Sequence, residues 1–219
     1  MRRRNEMKSR LVVVASWIVF MSLHHTCGAE DTWQDLFDGK SLEGWRATAH
    51  PESFHIQEGA IAAGGGPMAH LVYVGPVSNH DFRDFELKMD VKALPGSNGG
   101  VFFHTEAQEG ALKKGYEAQI CDAYPDKRKT GSLVDVKDID QSPVADGEWF
   151  EYSIRVHGKK ITIAINDQRV VEYEEPAEPK RKKGRERRLL SHGQIALQAH
   201  DPKSMVFYKN IQIKIPNNK

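Results

Sequence analysis

A chain of 219 residues with 31 Lys and Arg against 30 Asp and Glu has a formal net charge of +1, so no global field gathers nucleic acid around it. The length suits one domain, 39% hydrophobic residues are enough to fill its core, and 2 Cys exclude a disulfide scaffold. With 28% charged residues but no strong imbalance, the composition is not that of a disordered chain either.

The charge is unevenly placed. Residues 1–10 hold Arg2, Arg3, Arg4, Lys8 and Arg10 against Glu6, and residues 11–23 form an apolar run of 13. A membrane span takes about 20 apolar residues. The pattern therefore predicts a secretory signal peptide over 1–29, cleaved after the small residues Gly28 and Ala29, rather than a retained anchor. A lipoprotein signal on Cys27 is disfavoured by His24, His25 and Thr26 before it. Removing 1–29 takes away five bases and one acid, which leaves 26 against 29 and a net charge of −3. The expected product is an exported periplasmic or extracellular protein, 30–219, with no membrane span. Cys121 is then alone, inside an apolar-flanked run, and is expected to be a small buried hydrophobe.

The first clear alternation in the mature chain is Phe85, Leu87, Met89 and Val91, separated by Glu86, Lys88 and Asp90. Period 2 with charge on the outward positions predicts a half-buried antiparallel strand. The period recurs at Tyr152, Ile154 and Val156, at Ile161, Ile163 and Ile165, and at Ile211, Ile213 and Ile215. Turn residues at 157–160 and 166–169 join these runs into a meander. No helical period persists after residue 30. Many short strands, with 18 Gly and 10 Pro in the chain, argue for an all-β fold, a jelly-roll β-sandwich, filling one domain over 30–219.

Residues 176–190 break the pattern with Lys180, Arg181, Lys182, Lys183, Arg185, Arg187 and Arg188. No aromatic residues interleave these charges, so the run reads as a solvated basic loop between two strands rather than a nucleic-acid surface.

Three strand-like segments have the wrong polar face for bulk water. In 101–104, 116–120 and 195–200 the residues that alternate with the apolar set include His104, Glu117, Gln119, Gln198 and His200. Lys, Glu and Arg would be usual there. Amides donate and accept together, which suits paired sugar hydroxyls on a ligand-binding sheet face. Asn98, in a Gly-rich turn, and Asp122, just past the Glu117 strand, would close the ring. The remaining histidines, His70 among them, have no ligand-like spacing and read as structural or solvated.

The motifs Trp33-Gln34-Asp35-Leu36-Phe37-Asp38-Gly39, Asn98-Gly99-Gly100-Val101-Phe102-Phe103, Gly115-Tyr116-Glu117-Ala118-Gln119-Ile120, Gly147-Glu148-Trp149 and Gln194-Ile195-Ala196-Leu197-Gln198-Ala199-His200-Asp201 occur in that order. Together they resemble the 3-keto-disaccharide hydrolase family from about Trp33 to Ile215. The resemblance implies a concanavalin A-like sandwich of two curved antiparallel sheets with the ligand on the concave face. It also implies cleavage of glycosides whose sugar is oxidised at C3. Members often carry Arg after the Val-Phe-Phe run, where this chain has His104.

A ketone at C3 acidifies the proton on C2, so the aglycone can leave C1 by elimination before water adds. Such a route needs a base, an enolate stabiliser and an acid. Glu117 or His200 is the expected base, Asp122 a further acid or base, and His104, Gln119, Gln198 and Asn98 would place the sugar. Direct hydrolysis by Glu117 with Asp122 is an alternative. No cofactor requirement is evident in the sequence, although Glu117, Asp122 and His200 offer donors for a divalent cation. The other functional class is a non-catalytic carbohydrate-binding module, whose mark would be an aromatic platform with few ionisable groups.

Overall fold

The computed structural model describes residues 32–122 and 127–216; the expected leader, 1–29, lies outside them. Thirteen strands follow in order: β1 (Gln34–Asp35), β2 (Trp45–Ala47), β3 (Phe54–Gln57), β4 (Ala60–Gly64), β5 (Ala69–Tyr73), β6 (Phe85–Ala93), β7 (Asn98–Thr105), β8 (Tyr116–Cys121), β9 (Phe150–His157), β10 (Lys160–Ile165), β11 (Gln168–Glu174), β12 (Gln194–Ala199) and β13 (Met205–Lys214). Helical structure among the described residues is limited to two short 3-10 turns. One sheet runs β11-β10-β9-β6-β13-β4-β3, with β1 added on β13; the other runs β2-β5-β12-β7-β8. All pairings are antiparallel, so the fold is the expected sandwich.

The alternating runs form the inner face of the eight-stranded sheet. Phe85, Leu87, Met89 and Val91 of β6 are buried while the residues between them are half-exposed. Tyr152, Ile154 and Val156 of β9 and Ile161, Ile163 and Ile165 of β10 extend that face. Gly158-Lys159 closes the β9–β10 hairpin, and Asn166-Asp167 closes β10–β11 with φ of +47° and +63°. Two positive φ values at the turn centre define the type I′ geometry that matches strand twist, and Asn and Asp tolerate it. In β13 the inward set changes from Val206 and Tyr208 to Ile211 and Ile213 across a bulge at Asn210, whose φ is +52°.

The five-stranded sheet supplies the opposite half of the core through Leu71, Tyr73, Val101, Phe103, Tyr116, Ala118, Ile120, Ile195 and Leu197. Tyr152 spans the two layers, its hydroxyl donating to the Gln119 carbonyl at 3.0 Å. Cys121, at the end of β8, is buried as expected.

His104 corrects the reading of strict alternation. Its φ is +54°, and the β12–β7 register slips between Gln194 and Ala196. The bulge turns the ring toward the core, where it meets Phe85 and Phe103 edge-on. Its Nε2 donates to the Arg83 carbonyl at 2.7 Å and its Nδ1 accepts from the Ser191 N–H at 3.1 Å. Both ring nitrogens are thus occupied by backbone, and the imidazole is neutral. His70 on β5 is also fully buried.

Burial and the nearby His200 push the His70 imidazole down to about 4, and burial also lowers His104. An unfolded histidine titrates near 6.5. Between those values the unfolded chain binds more protons than the folded one, so stability is complete above about pH 6.5 and is lost as pH falls toward 4. For His70 alone the linkage amounts to about 3 kcal/mol. Thermal melting should therefore drop steeply from pH 7 to 4.5, with a shallower slope in His70→Gln; equal slopes would contradict the assignment. Phe85 packs against Phe82, Phe103 and His104. Phe85→Ala should cost about 3–5 kcal/mol in urea unfolding, and Tyr152→Phe about 1–2 kcal/mol for the lost inter-sheet hydrogen bond.

Candidate active site

Pleating sends alternate residues of the five-stranded sheet away from the core. On β5 these are His70 and Val72, on β12 Ala196 and Gln198, on β7 Asn98, Gly100 and Phe102, and on β8 Glu117 and Gln119. The register aligns them in rows across the sheet. His70 stands opposite Gln198 and Gly100 opposite Gln119; in the next row Val72, Ala196, Phe102 and Glu117 are successive partners. One row is therefore polar with a gap at Gly100, and its neighbour is an apolar floor ending in a carboxylate. A Cβ at Gly100 would lie 3.2 Å from Glu117 Oε1 and 3.3 Å from the Ala118 carbonyl oxygen, so any larger residue there would crowd that carboxylate.

Most of the basic segment is exposed, and it runs against this face as a strap, held where Arg181, Lys182, Arg185, Arg187 and Arg188 pair with carboxylates. Arg181 bonds Glu175 and the hydroxyls of Tyr116 and Tyr173, while its Nε donates to the Arg188 carbonyl at 2.6 Å. Lys182 and Arg185 both reach Asp135, at 2.7 and 3.2 Å, and Arg187 pairs with Glu106. Arg188 is only 2% exposed; its Nη2 donates to Glu117 Oε2 at 2.8 Å. This residue was hidden in the sequence because a run of positive charge gives no sign of which member is buried.

Strap and sheet enclose a cavity of about 180 Å³ whose lining includes His70, Asn98, Glu117, Gln119, Arg188, Gln198 and His200. Five buried polar atoms around it have no partner among the described residues: His70 Nδ1, Gln119 Oε1, Gln198 Oε1, and Nε and Nη1 of Arg188. Buried polar groups are normally paired, so this concentration marks a place prepared for a polar ligand. A larger cleft of about 480 Å³ on the outer face of the other sheet, lined by Asp35, Asp90 and Glu151, has none of these unpartnered atoms.

His200 sits at the rim with Nδ1 2.8 Å from Asp201 Oδ2. Burial works to raise the Asp201 carboxyl, but hydrogen bonds from His200, Lys203 and Ser204 outweigh it and hold the group below the usual carboxylate range. The carboxylate fixes Nδ1–H and leaves Nε2 as the nitrogen open to proton exchange. Gln198 Nε2 lies 3.4 Å from His70 Nε2, which links the two middle strands.

Of the residues expected from sequence, Asn98, Glu117, Gln119, Gln198 and His200 line the one cavity. His104 and Asp122 do not. The bulge removes His104, as described above. Asp122 falls after the last residue of β8, and its carboxylate lies 3.5 Å from Lys129 Nζ. Glu117 and Asp122 therefore do not line the same cavity. Of the Glu117, Asp122 and His200 donors, Glu117 and His200 line the cavity and Asp122 does not, and no cluster of three or more His, Cys, Asp or Glu fit for a metal occurs among the described residues. His70 and Arg188 are the functional candidates that sequence reasoning missed. For His70 the signal was present: it alternates with the core residues Ala69, Leu71 and Tyr73 in a short apolar run.

Comparison with known proteins places these observations. The chain is 28% identical over 170 residues to a 3-keto-disaccharide hydrolase of Bacteroides thetaiotaomicron, a match covering 65% of this chain and 59% of that protein's length. A putative glycosyl hydrolase from Parabacteroides distasonis shares the fold with a TM-score of 0.70 at 21% identity, over 84% of this chain and 94% of that one. A Bacillus subtilis carbohydrate-binding module, CBM66, does so with a TM-score of 0.54 at 12% identity, over 78% and 95%. The model of the 3-keto-alpha-glucoside-1,2-lyase-like domain matches residues 32–214, which take in every strand of both sheets and the cavity between sheet and strap, and the chain belongs to that family.

Proposed function

We propose that the protein cleaves 3-keto-glycosides by base-assisted elimination followed by hydration, in the cavity between the five-stranded sheet and the strap. The observation that carries this reading is the meeting of one carboxylate, one carboxylate-oriented imidazole and five unpartnered polar atoms in a space of about 180 Å³. A binding module needs complementary hydrogen bonds. It does not need a general base beside a second acid–base group.

In this reading Glu117 takes the C2 proton. The electron pair of the C–H bond enters C2=C3, and the carbonyl oxygen at C3 becomes an enolate. Collapse of the enolate restores the ketone, forms C1=C2 and breaks the bond from C1 to the aglycone oxygen, which leaves with a proton from His200 Nε2. The proton on Glu117 exchanges with solvent as the aglycone departs; water then adds its oxygen to C1, giving a proton back to His200, while Glu117 delivers its solvent-derived proton to C2. Gln119, Gln198 and Asn98 hold the hydroxyls, and Phe102 and Leu112 supply apolar lining for the ring. The route is open only to the oxidised sugar, because an ordinary glycoside lacks the ketone that acidifies C2. We also place its action after export, on the strength of the basic leader and apolar run of 1–29.

The purified protein should release nitrophenol from p-nitrophenyl 3-keto-α-glucoside and leave the parent glucoside intact. Glu117→Gln should reduce turnover by roughly 10²–10⁴-fold, in the range of a lost general base. His200→Asn should cost on the order of 10²-fold, with a smaller loss in Asp201→Asn, which leaves the imidazole but frees its orientation. Unchanged turnover in Glu117→Gln contradicts its role, and sugar binding without turnover in the unsubstituted protein favours a binding module. Protein recovered from its host with Met1 still present contradicts export with cleavage.

A further inference from the structure

We propose that Arg188, delivered by the basic strap, is the electrophile that receives the negative charge developing on the C3 oxygen. This rests on the elimination reading above and assigns within it the group that stabilises the enolate. Three observations meet on this residue. Arg188 is 2% exposed, yet only Nη2 has a partner, leaving the N–H groups of Nε and Nη1 without an acceptor among the described residues. A buried guanidinium with idle donors is costly unless an oxygen comes to them. Its one partner is Glu117, at 2.8 Å. In a 3-keto sugar the acidic C2–H and the C3 oxygen are on adjacent carbons, so base and electrophile must also be neighbours.

The third observation is how the cation is held. Arg181 bonds the Arg188 carbonyl and is itself fixed by Glu175, Tyr116 and Tyr173, and the Gly115 N–H donates to the carbonyl of Arg187. These contacts anchor the backbone of Arg187 and Arg188 without using the Arg188 side chain, which lines the cavity and keeps Nε and Nη1 without an acceptor among the described residues. A preorganised donor aimed at developing charge acts with little reorganisation during the reaction. The planar fork of a guanidinium also serves a carboxylate and an enolate oxygen together, which an ammonium does less well. His104, which stands where the family often has Arg, is turned into the core by the bulge; the strap supplies the cation from another part of the chain.

The test uses the full mature chain with p-nitrophenyl 3-keto-α-glucoside. Arg188→Ala should lower kcat by about 10²–10³-fold, the loss typical of a removed oxyanion donor, with a much smaller change in KM, and added guanidinium chloride at millimolar concentration should restore at least tenfold of it. Arg188→Lys, which keeps the charge beside Glu117, should fold like the unsubstituted protein and still lose at least tenfold in kcat. A kcat within threefold of the unsubstituted value in either variant overturns the proposal. So does a loss in a normally melting Arg188→Ala that guanidinium leaves unchanged; should that variant not fold, Arg188→Lys decides alone. Absence of nitrophenol release by the unsubstituted protein is a different result, since it removes the elimination reading itself.

Discussion

The ion pair between Arg188 and Glu117 joins the two parts from which the site is made. Glu117 belongs to a strand fixed by the core behind it, and Arg188 belongs to a loop with no regular structure of its own. Two opposite charges held at 2.8 Å and almost wholly out of water are not a source of stability in themselves, because desolvation consumes much of the attraction. Removing one partner from such a pair leaves the other buried and uncompensated, at a cost of about 3–5 kcal/mol. The pair therefore specifies where the strap lies more than it strengthens the fold. The cavity exists because the strap is held there.

The remaining cations of the strap serve the same end at lower cost. Lys182 and Arg185 converge on Asp135, and Arg187 on Glu106, at more exposed positions. Pairs of that kind contribute about 0–1 kcal/mol each, so they guide register rather than supply binding energy. Arg181 is different. It is bonded at once to Glu175, two tyrosine hydroxyls and a backbone carbonyl, and it anchors the chain two turns before the functional guanidinium. A mildly acidic sandwich and a basic loop are thus complementary surfaces of one domain; together they leave residues 30–219 at a net charge of −3, and only the basic leader brings the whole chain to +1.

What the sequence disclosed follows from which faces meet water. The strands β6, β9 and β10 have one wet face, so their alternation could be read directly, and the hairpin at Asn166-Asp167 announced itself by residue type. β4 and β5 are buried on both faces, with Ala60 and Ala62 covered by Phe207 outside, and they offer no contrast to detect. Glu117, Gln119, Gln198 and His200 were legible because amides and imidazoles stood where charge was expected. His104 was misplaced because a bulge breaks the period of two, and Asp122 because the strand ends one residue before it. Arg188 was out of reach: its meaning lies in carboxylates at 106, 117, 135 and 175, and only the fold brings these to the strap.

The sandwich itself does not choose between cleaving and holding a sugar, since hydrolases and binding modules share it. The choice rests on chemistry at C2, and the most direct measurement is the fate of that position when the glycoside is turned over in D2O. Elimination followed by hydration delivers a solvent deuteron to C2, so the released 3-keto sugar, isolated at early times and corrected for exchange without protein, should carry deuterium there by NMR. A sugar released with C2 still protonated would show that no solvent proton reaches C2 during turnover, and would contradict the account.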